Sequence, residues 1–110
     1  AAGGTMNELR TLCASFTGAV RLGCFHGLGN AHMPLIAAGK TDIRSLCLNL
    51  SKEEEFVCID GAMERMAKYQ HDTAVGVCNQ LEGKNKTTCL AAVSRKMYDM
   101  KKDLSLYLAK

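Results

Sequence analysis

The residues whose types and spacing most clearly indicate chemistry are six cysteines, which recur at one fixed spacing. They form three Cys-x10-Cys pairs: Cys13 with Cys24, Cys47 with Cys58 and Cys78 with Cys89. An even number of regularly spaced cysteines in a short chain, without a Cys-x2-Cys, is typical of a disulfide framework rather than a zinc site. A threefold repeat makes pairing within each unit the simplest arrangement. The spacing therefore predicts three structural disulfides and an extracytoplasmic location, whether secreted, periplasmic or at the cell surface.

A second group of residues that could bind a ligand lies at 24–33, where the sequence is CFHGLGNAHM. On a helix, His26 and Met33 lie seven residues apart on one face, and imidazole with thioether is a natural ligand pair for copper. His32 lies well round the helix from His26, so it joins the same site only if the glycine-rich stretch or Pro34 breaks the helix. These residues form the candidate metal site.

Small residues follow each second cysteine at the same interval and suggest a structural alternative to copper. Gly27, Gly61 and Ala92 each stand three positions after a second cysteine. Residues without a large side chain let two helix backbones approach closely. We therefore expect Gly27 and Gly61 to be structurally important, with Gly27 and Gly29 at a close helix contact and a histidine bonded to a neighbouring hairpin.

No catalytic constellation is visible in the sequence. Three disulfides would leave no thiol for nucleophilic catalysis, and the nucleophile-elbow, P-loop and zinc-protease motifs do not occur. Gly27-Leu-Gly29 lacks the third glycine of a dinucleotide-binding loop. The sequence predicts that the protein is not an enzyme.

Helices must position the cysteines, because apolar residues recur around them at helical spacing. Turn-forming residues separate the two cysteines of each pair, at 17–18, 49–52 and 82–86. Each Cys-x10-Cys is therefore expected to straddle a helix-turn-helix, with its disulfide near the tip. The predicted helices lie near 6–16, 21–38, 42–50, 52–70, 73–82 and 87–101.

Boundary signals support this division of the chain. They are two capping boxes (Thr5 with Glu8, Ser51 with Glu54), two N-caps (Asp42 and Asp72) and a helix stop (Gly39). The repeat units are about 5–39, 40–71 and 72–102 of a single domain, 1–110. Residues 103–110 are similar to the start of a further unit, so we expect a partial capping helix there.

The first cysteines of successive units are 34 and 31 residues apart, within the roughly 20–45 residues of stacked repeats. This layout resembles tetratricopeptide-type arrays and implies an all-α fold of three stacked, disulfide-stapled helical hairpins, an α-solenoid. The His-Gly-Leu-Gly segment at 26–29 is similar to a segment of uncharacterised exported cysteine-rich helical proteins. A remaining alternative places each cysteine pair on one continuous helix. That arrangement resembles the twin Cys-x9-Cys proteins of the mitochondrial intermembrane space, whose cysteines pair between helices.

The composition of the chain limits the classes of partner that the sequence predicts. A formal net charge of +3 is too small to indicate nucleic acid. The longest uncharged run, 22–39, contains histidines, glycines and a proline and is unlike a membrane span, so membrane contact is expected only through a partner. Asn49 and Asn85 begin Asn-x-Ser/Thr acceptor tripeptides for glycosylation.

These observations predict a non-enzymatic structural or protein-interaction module. It would be an accessory or polymerising subunit of an extracytoplasmic assembly, and its partner would be another protein or copies of itself. The alternative hypothesis is a periplasmic copper-binding protein that uses His26 and Met33, with His32 as a further candidate ligand.

Overall fold

A computed structural model describes residues 6–108, with side chains described for 6–96, and its regular secondary structure is helical. No strand occurs in this part. The helices are α1 (Met6–Ala14), α2 (Gly18–Ala31), α3 (Met33–Ala37), α4 (Ile43–Cys47), α5 (Lys52–Tyr69), α6 (His71–Cys78) and α7 (Gly83–Leu108).

The three predicted disulfides are confirmed, and each joins two helices across a turn. They link α1 to α2, α4 to α5 and α6 to α7, with Cα separations of 5.3, 5.5 and 5.4 Å. One residue with positive φ accompanies each chain reversal: Gly18, the first residue of α2, at 58°, Asn49 at 63°, and Gly83, the first residue of α7, at 56°. Glycine and asparagine tolerate this left-handed conformation, which reverses the chain within a few residues. The alternative of one continuous helix through each cysteine pair is wrong.

Several predicted helix boundaries are also confirmed. Asp42 caps α4 by accepting from the backbone N–H of Arg44 at 2.9 Å, and Ser51 and Glu54 form the reciprocal capping box of α5. After α3, the N–H of Gly39 donates to Ile36 and that of Lys40 to Leu35. This pair of bonds is the Schellman pattern, and the φ of +74° at Gly39 permits it. The predicted Thr5–Glu8 box includes Thr5, which lies outside the described residues.

Other boundaries differ from the prediction. The helix predicted at 21–38 is two helices that separate at His32, because Pro34 lacks a backbone N–H and suits only the first turn of a new helix. Asp72 is not an N-cap: α6 begins at His71, and Gln70 takes the capping position. Asp72 lies in the first turn, where its negative charge still favours the helix.

The C-terminal segment also differs. Residues 103–108 continue α7 without interruption, so they do not form a separate capping helix, and residues 109–110 lie outside the described part. Neither glycine nor proline occurs after Gly83 to end the helix.

Helix α5 lies at the centre of the fold and packs against both α2 and α7, the second helices of the flanking hairpins. The core is one cluster of apolar side chains with the buried cysteines among them. Its largest fully buried members are Phe25, Ile43, Leu46, Ile59, Met63 and Met66. The result is a compact helical globule. No helix of the described part combines the length and the apolar character that a membrane span requires.

The contact between α2 and α5 is close enough to involve the backbones themselves. A Cβ placed on Gly29 would overlap the carbonyl oxygen of Cys58, and one placed on Gly61 would overlap the carbonyl oxygen of His26. Gly61 therefore has the predicted role. The expectation for Gly27 is wrong, because a Cβ there would meet open space. The glycine that α2 contributes to this contact is Gly29.

A partly buried ion pair also joins α2 to α5. Arg21 donates from Nε to Oε2 of Glu54 at 2.6 Å and from Nη1 to the carbonyl of Ala14 at 2.9 Å. Glu54 is only 7% exposed. Burial alone would raise the pKa of the Glu54 carboxyl. The hydrogen bonds from Arg21 and from the backbone N–H of Ser51 outweigh that effect and hold the pKa below its ordinary value.

Glu54→Gln is expected to lower the free energy of unfolding by about 1–2 kcal/mol near neutral pH, because the charge-assisted bond to Arg21 is lost. Since the folded-state pKa lies below the ordinary value of 4.5, this stabilisation is present above that value and disappears as the pH falls through the folded-state pKa. Urea denaturation of both proteins at a series of pH values measures the difference. A difference that does not shrink on acidification below the ordinary pKa would contradict this account.

Candidate functional site

The most chemically distinctive cluster of side chains lies beside the close contact of α2 and α5. Nε2 of His26, on α2, is 3.4 Å from Oδ2 of Asp60 and 3.2 Å from Oε2 of Glu64, both on α5. The three ligand-type atoms all lie within 4.8 Å of one another. Asp60 and Glu64 are four residues apart and so share one face of α5.

Helix α7 completes the cluster with two cations. Arg95 forms an ion pair with Oδ1 of Asp60, and Nζ of Lys96 lies 3.3 Å from Oδ2 of Asp60. The Asp60 side chain, 14% exposed, therefore has three partners: Oδ2 is shared by His26 and Lys96, and Oδ1 pairs with Arg95. This polar cluster, His26, Asp60, Glu64, Arg95 and Lys96, connects the second helices of all three hairpins.

Two kinds of chemistry are open to the polar cluster. As an ion-pair network, it stabilises the contacts of α5 with α2 and α7. As a ligand set, His26, Asp60 and Glu64 offer one imidazole nitrogen and two carboxylate oxygens, which suit a divalent cation of zinc type. No thiol is available for nucleophilic catalysis, because all six cysteines are in disulfides.

The copper ligands predicted from the sequence are not brought together in this way. Met33 is buried in the hydrophobic core. Nδ1 of His32, the residue that follows α2, lies 2.9 Å from the carbonyl oxygen of Leu28 in that helix. Because α2 is continuous through its glycines, His26 and His32 stay about 9 Å apart along the helix axis. His26 instead contacts a neighbouring hairpin, as the structural alternative expected.

Sequence reasoning missed Asp60 and Glu64, although the repeat register contained a signal. His26 and Asp60 each stand two positions after the second cysteine of their unit, whereas Glu64 and Arg95 stand six positions after it. Polar residues at equivalent positions of packed second helices converge on one side of the fold. An alignment of the three units on their second cysteines therefore predicts that these residues lie near one another.

A second feature is the apolar surface at the tip of the first hairpin, formed by Leu12, Phe16 and Val20. These side chains are 53%, 38% and 63% exposed. All three lie within nine residues of sequence around the Cys13–Cys24 disulfide. Leu12 lies in the last turn of α1, Phe16 lies in the turn that follows this helix, and Val20 lies in the first turn of α2.

The two acceptor asparagines have different surroundings. Asn49 is exposed in the turn of the second hairpin, as predicted. Asn85 is half-buried in the first turn of α7 rather than in a turn between helices.

Comparisons of this chain with models of known protein families, with curated proteins and with solved structures found no match. The function is therefore inferred from the chemistry of the polar cluster and of the exposed surface.

Proposed function

We propose that the chain is a rigid, non-enzymatic protein-interaction module, an accessory or polymerising subunit of an extracytoplasmic assembly. The three disulfides support an oxidising compartment, since reducing compartments do not maintain such bonds. The observation that carries the proposal is the exposure of Leu12, Phe16 and Val20 on a tip that a disulfide clamps.

Single exposed apolar residues are ordinary on protein surfaces, but a group of large ones at one tip marks a contact surface. The Cys13–Cys24 disulfide adds to the effect, because it restricts the tip before a partner arrives. A surface that is already ordered loses less conformational entropy on binding. The tip of the first hairpin is thus suited to insert Phe16 into a groove on a partner protein.

The proposed architecture is a short α-solenoid, like that of tetratricopeptide arrays. Its support is the packing order: α5 contacts both α2 and α7, so the second helix of each flanking hairpin packs against the second helix of the middle one. In such arrays each repeat contacts only its neighbours, and the terminal repeats present unpaired faces to a partner or to another copy.

A photo-crosslinking amino acid at position 16 tests the proposal in the organism that produces the chain. We expect one discrete crosslinked species, and Leu12→Asp should reduce its yield at least about tenfold, because a charge in a desolvated contact is strongly unfavourable. A species of twice the chain mass would identify a polymerising subunit, and another discrete mass would identify an accessory one.

The matched control carries the same crosslinker at Lys40, an exposed residue away from this tip. It should give no discrete species. Equal crosslinking from positions 16 and 40, or none from position 16, would contradict an interaction role for the tip.

A metal-binding role is the second candidate, and the observation that favours it is the convergence of His26, Asp60 and Glu64. The copper set of His26, Met33 and His32 has weaker support, because the thioether of Met33 belongs to the core.

A further inference from the structure

We propose that His26, Asp60 and Glu64 form a binding site for one divalent transition-metal cation, with Zn²⁺ as the appropriate probe. The site differs from the copper set predicted from the sequence, since only His26 is shared. It also does not depend on the proposed interaction role, because the apolar tip of the first hairpin contributes no residue to it.

The spacing of the ligand atoms is the first argument. Two ligands held at about 2.0–2.1 Å from a tetrahedral zinc ion lie about 3.3–3.4 Å apart. Nε2 of His26 is 3.4 Å from Asp60 and 3.2 Å from Glu64. Charge-assisted N–H···O bonds are shorter, about 2.7–2.9 Å. The observed separations therefore match those of two ligands on one tetrahedral ion.

The second argument is that rigid elements hold all three ligands. Asp60 and Glu64 lie one turn apart on the central helix α5. The backbone of His26 is fixed against α5, because Gly61 is in contact with its carbonyl oxygen. Preorganised ligands lose little conformational entropy when a metal binds. The side chains of His26 and Glu64 are half-exposed, so a cation can enter and complete its coordination with water.

The donor set decides the class of metal. One imidazole with two carboxylates suits zinc and similar first-row ions. Calcium takes six to eight oxygen ligands, and magnesium keeps most of its water, so neither gains much from His26.

The two cations beside Asp60 set the expected strength of binding. Arg95 and Lys96 partly neutralise Asp60 and would repel an incoming cation. We therefore expect a moderate affinity, with a Kd on the order of 1–100 µM. Lys96→Met keeps the length of the side chain and removes one repulsive charge, so it should tighten binding on the order of tenfold.

Calorimetric titration of the oxidised, untagged full chain with Zn²⁺ tests the site. We expect one Zn²⁺ per chain, and His26→Ala and Glu64→Gln should each weaken binding at least about tenfold. Because Glu64 is half-exposed, its substitution tests the site even if His26→Ala folds poorly. His71→Ala removes an exposed histidine from α6 and should bind Zn²⁺ like the unaltered chain.

The thermal midpoint gives an independent readout, since Zn²⁺ should raise it in the unaltered chain and not in Glu64→Gln. Three results would overturn the proposal: no binding at about 1 mM Zn²⁺, unchanged binding in both ligand variants, or weaker binding in a folded Lys96→Met. Binding of Mg²⁺ as tight as that of Zn²⁺ would also overturn it, because His26 would then contribute nothing.

Discussion

Gly29→Ala is expected to destabilise the fold by about 3 kcal/mol or more, although it adds only one methyl group. That methyl group would overlap the carbonyl oxygen of Cys58. The obstacle is backbone rather than a flexible side chain, and Cys58 is further restrained by its disulfide to Cys47. Relief of the overlap requires α2 and α5 to separate, which would disturb the core between them. Urea denaturation monitored by circular dichroism measures the loss.

The matched control is Gly27→Ala, two residues away in the same helix. A Cβ at Gly27 would meet no other atom, so alanine there should stabilise the protein by about 0.5–1 kcal/mol through its higher helix propensity. Both substitutions replace glycine by alanine in α2, and they differ only in the atoms that the added methyl group contacts. Effects of the same sign would contradict the close contact of α2 with α5.

Removal of the central disulfide by the double substitution Cys47→Ala and Cys58→Ala is expected to cost about 3–5 kcal/mol. The chain-entropy model gives about 3 kcal/mol for a loop of this size, and the lost packing of two fully buried sulfur atoms adds to it. Most small domains have only about 5–15 kcal/mol of stability, so this variant should be close to unfolding at body temperature. Equilibrium denaturation under oxidising conditions measures the change.

The first disulfide provides the comparison. Cys13 and Cys24 close a loop of the same length, so the entropic contribution is equal. Cys24, however, is only partly buried, and the first hairpin lies at one end of the fold. The double substitution at Cys13 and Cys24 should therefore cost less than the central one. A larger loss from the first disulfide would contradict the central position of α5.

The cysteine spacing was sufficient to predict the disulfides and the three hairpins, because a repeated interval limits the pairing and turn residues separate each pair. Local signals also located several helix ends, such as the capping box at Ser51 and the stop at Gly39. These features depend on neighbours in sequence, so sequence alone contains them.

The features that the sequence did not predict depend on contacts between helices, or on which of several neighbouring residues begins a helix. The choice of Gly29 over Gly27 depends on the rotation of α2 against α5, which the spacing of small residues leaves open. Asp72 was a reasonable capping residue, but α6 begins one residue earlier, at His71. The contact between His26 and Asp60 likewise depends on how the first two hairpins pack together.

The disulfide-stapled hairpins are best tested by peptide mapping of the unreduced protein, isolated from its native compartment with free thiols blocked. We expect three linked peptide pairs, each from a single hairpin, and no blocked thiol. Blocked cysteines, or a link between different hairpins such as Cys24 with Cys58, would contradict both the stapled hairpins and the oxidising compartment.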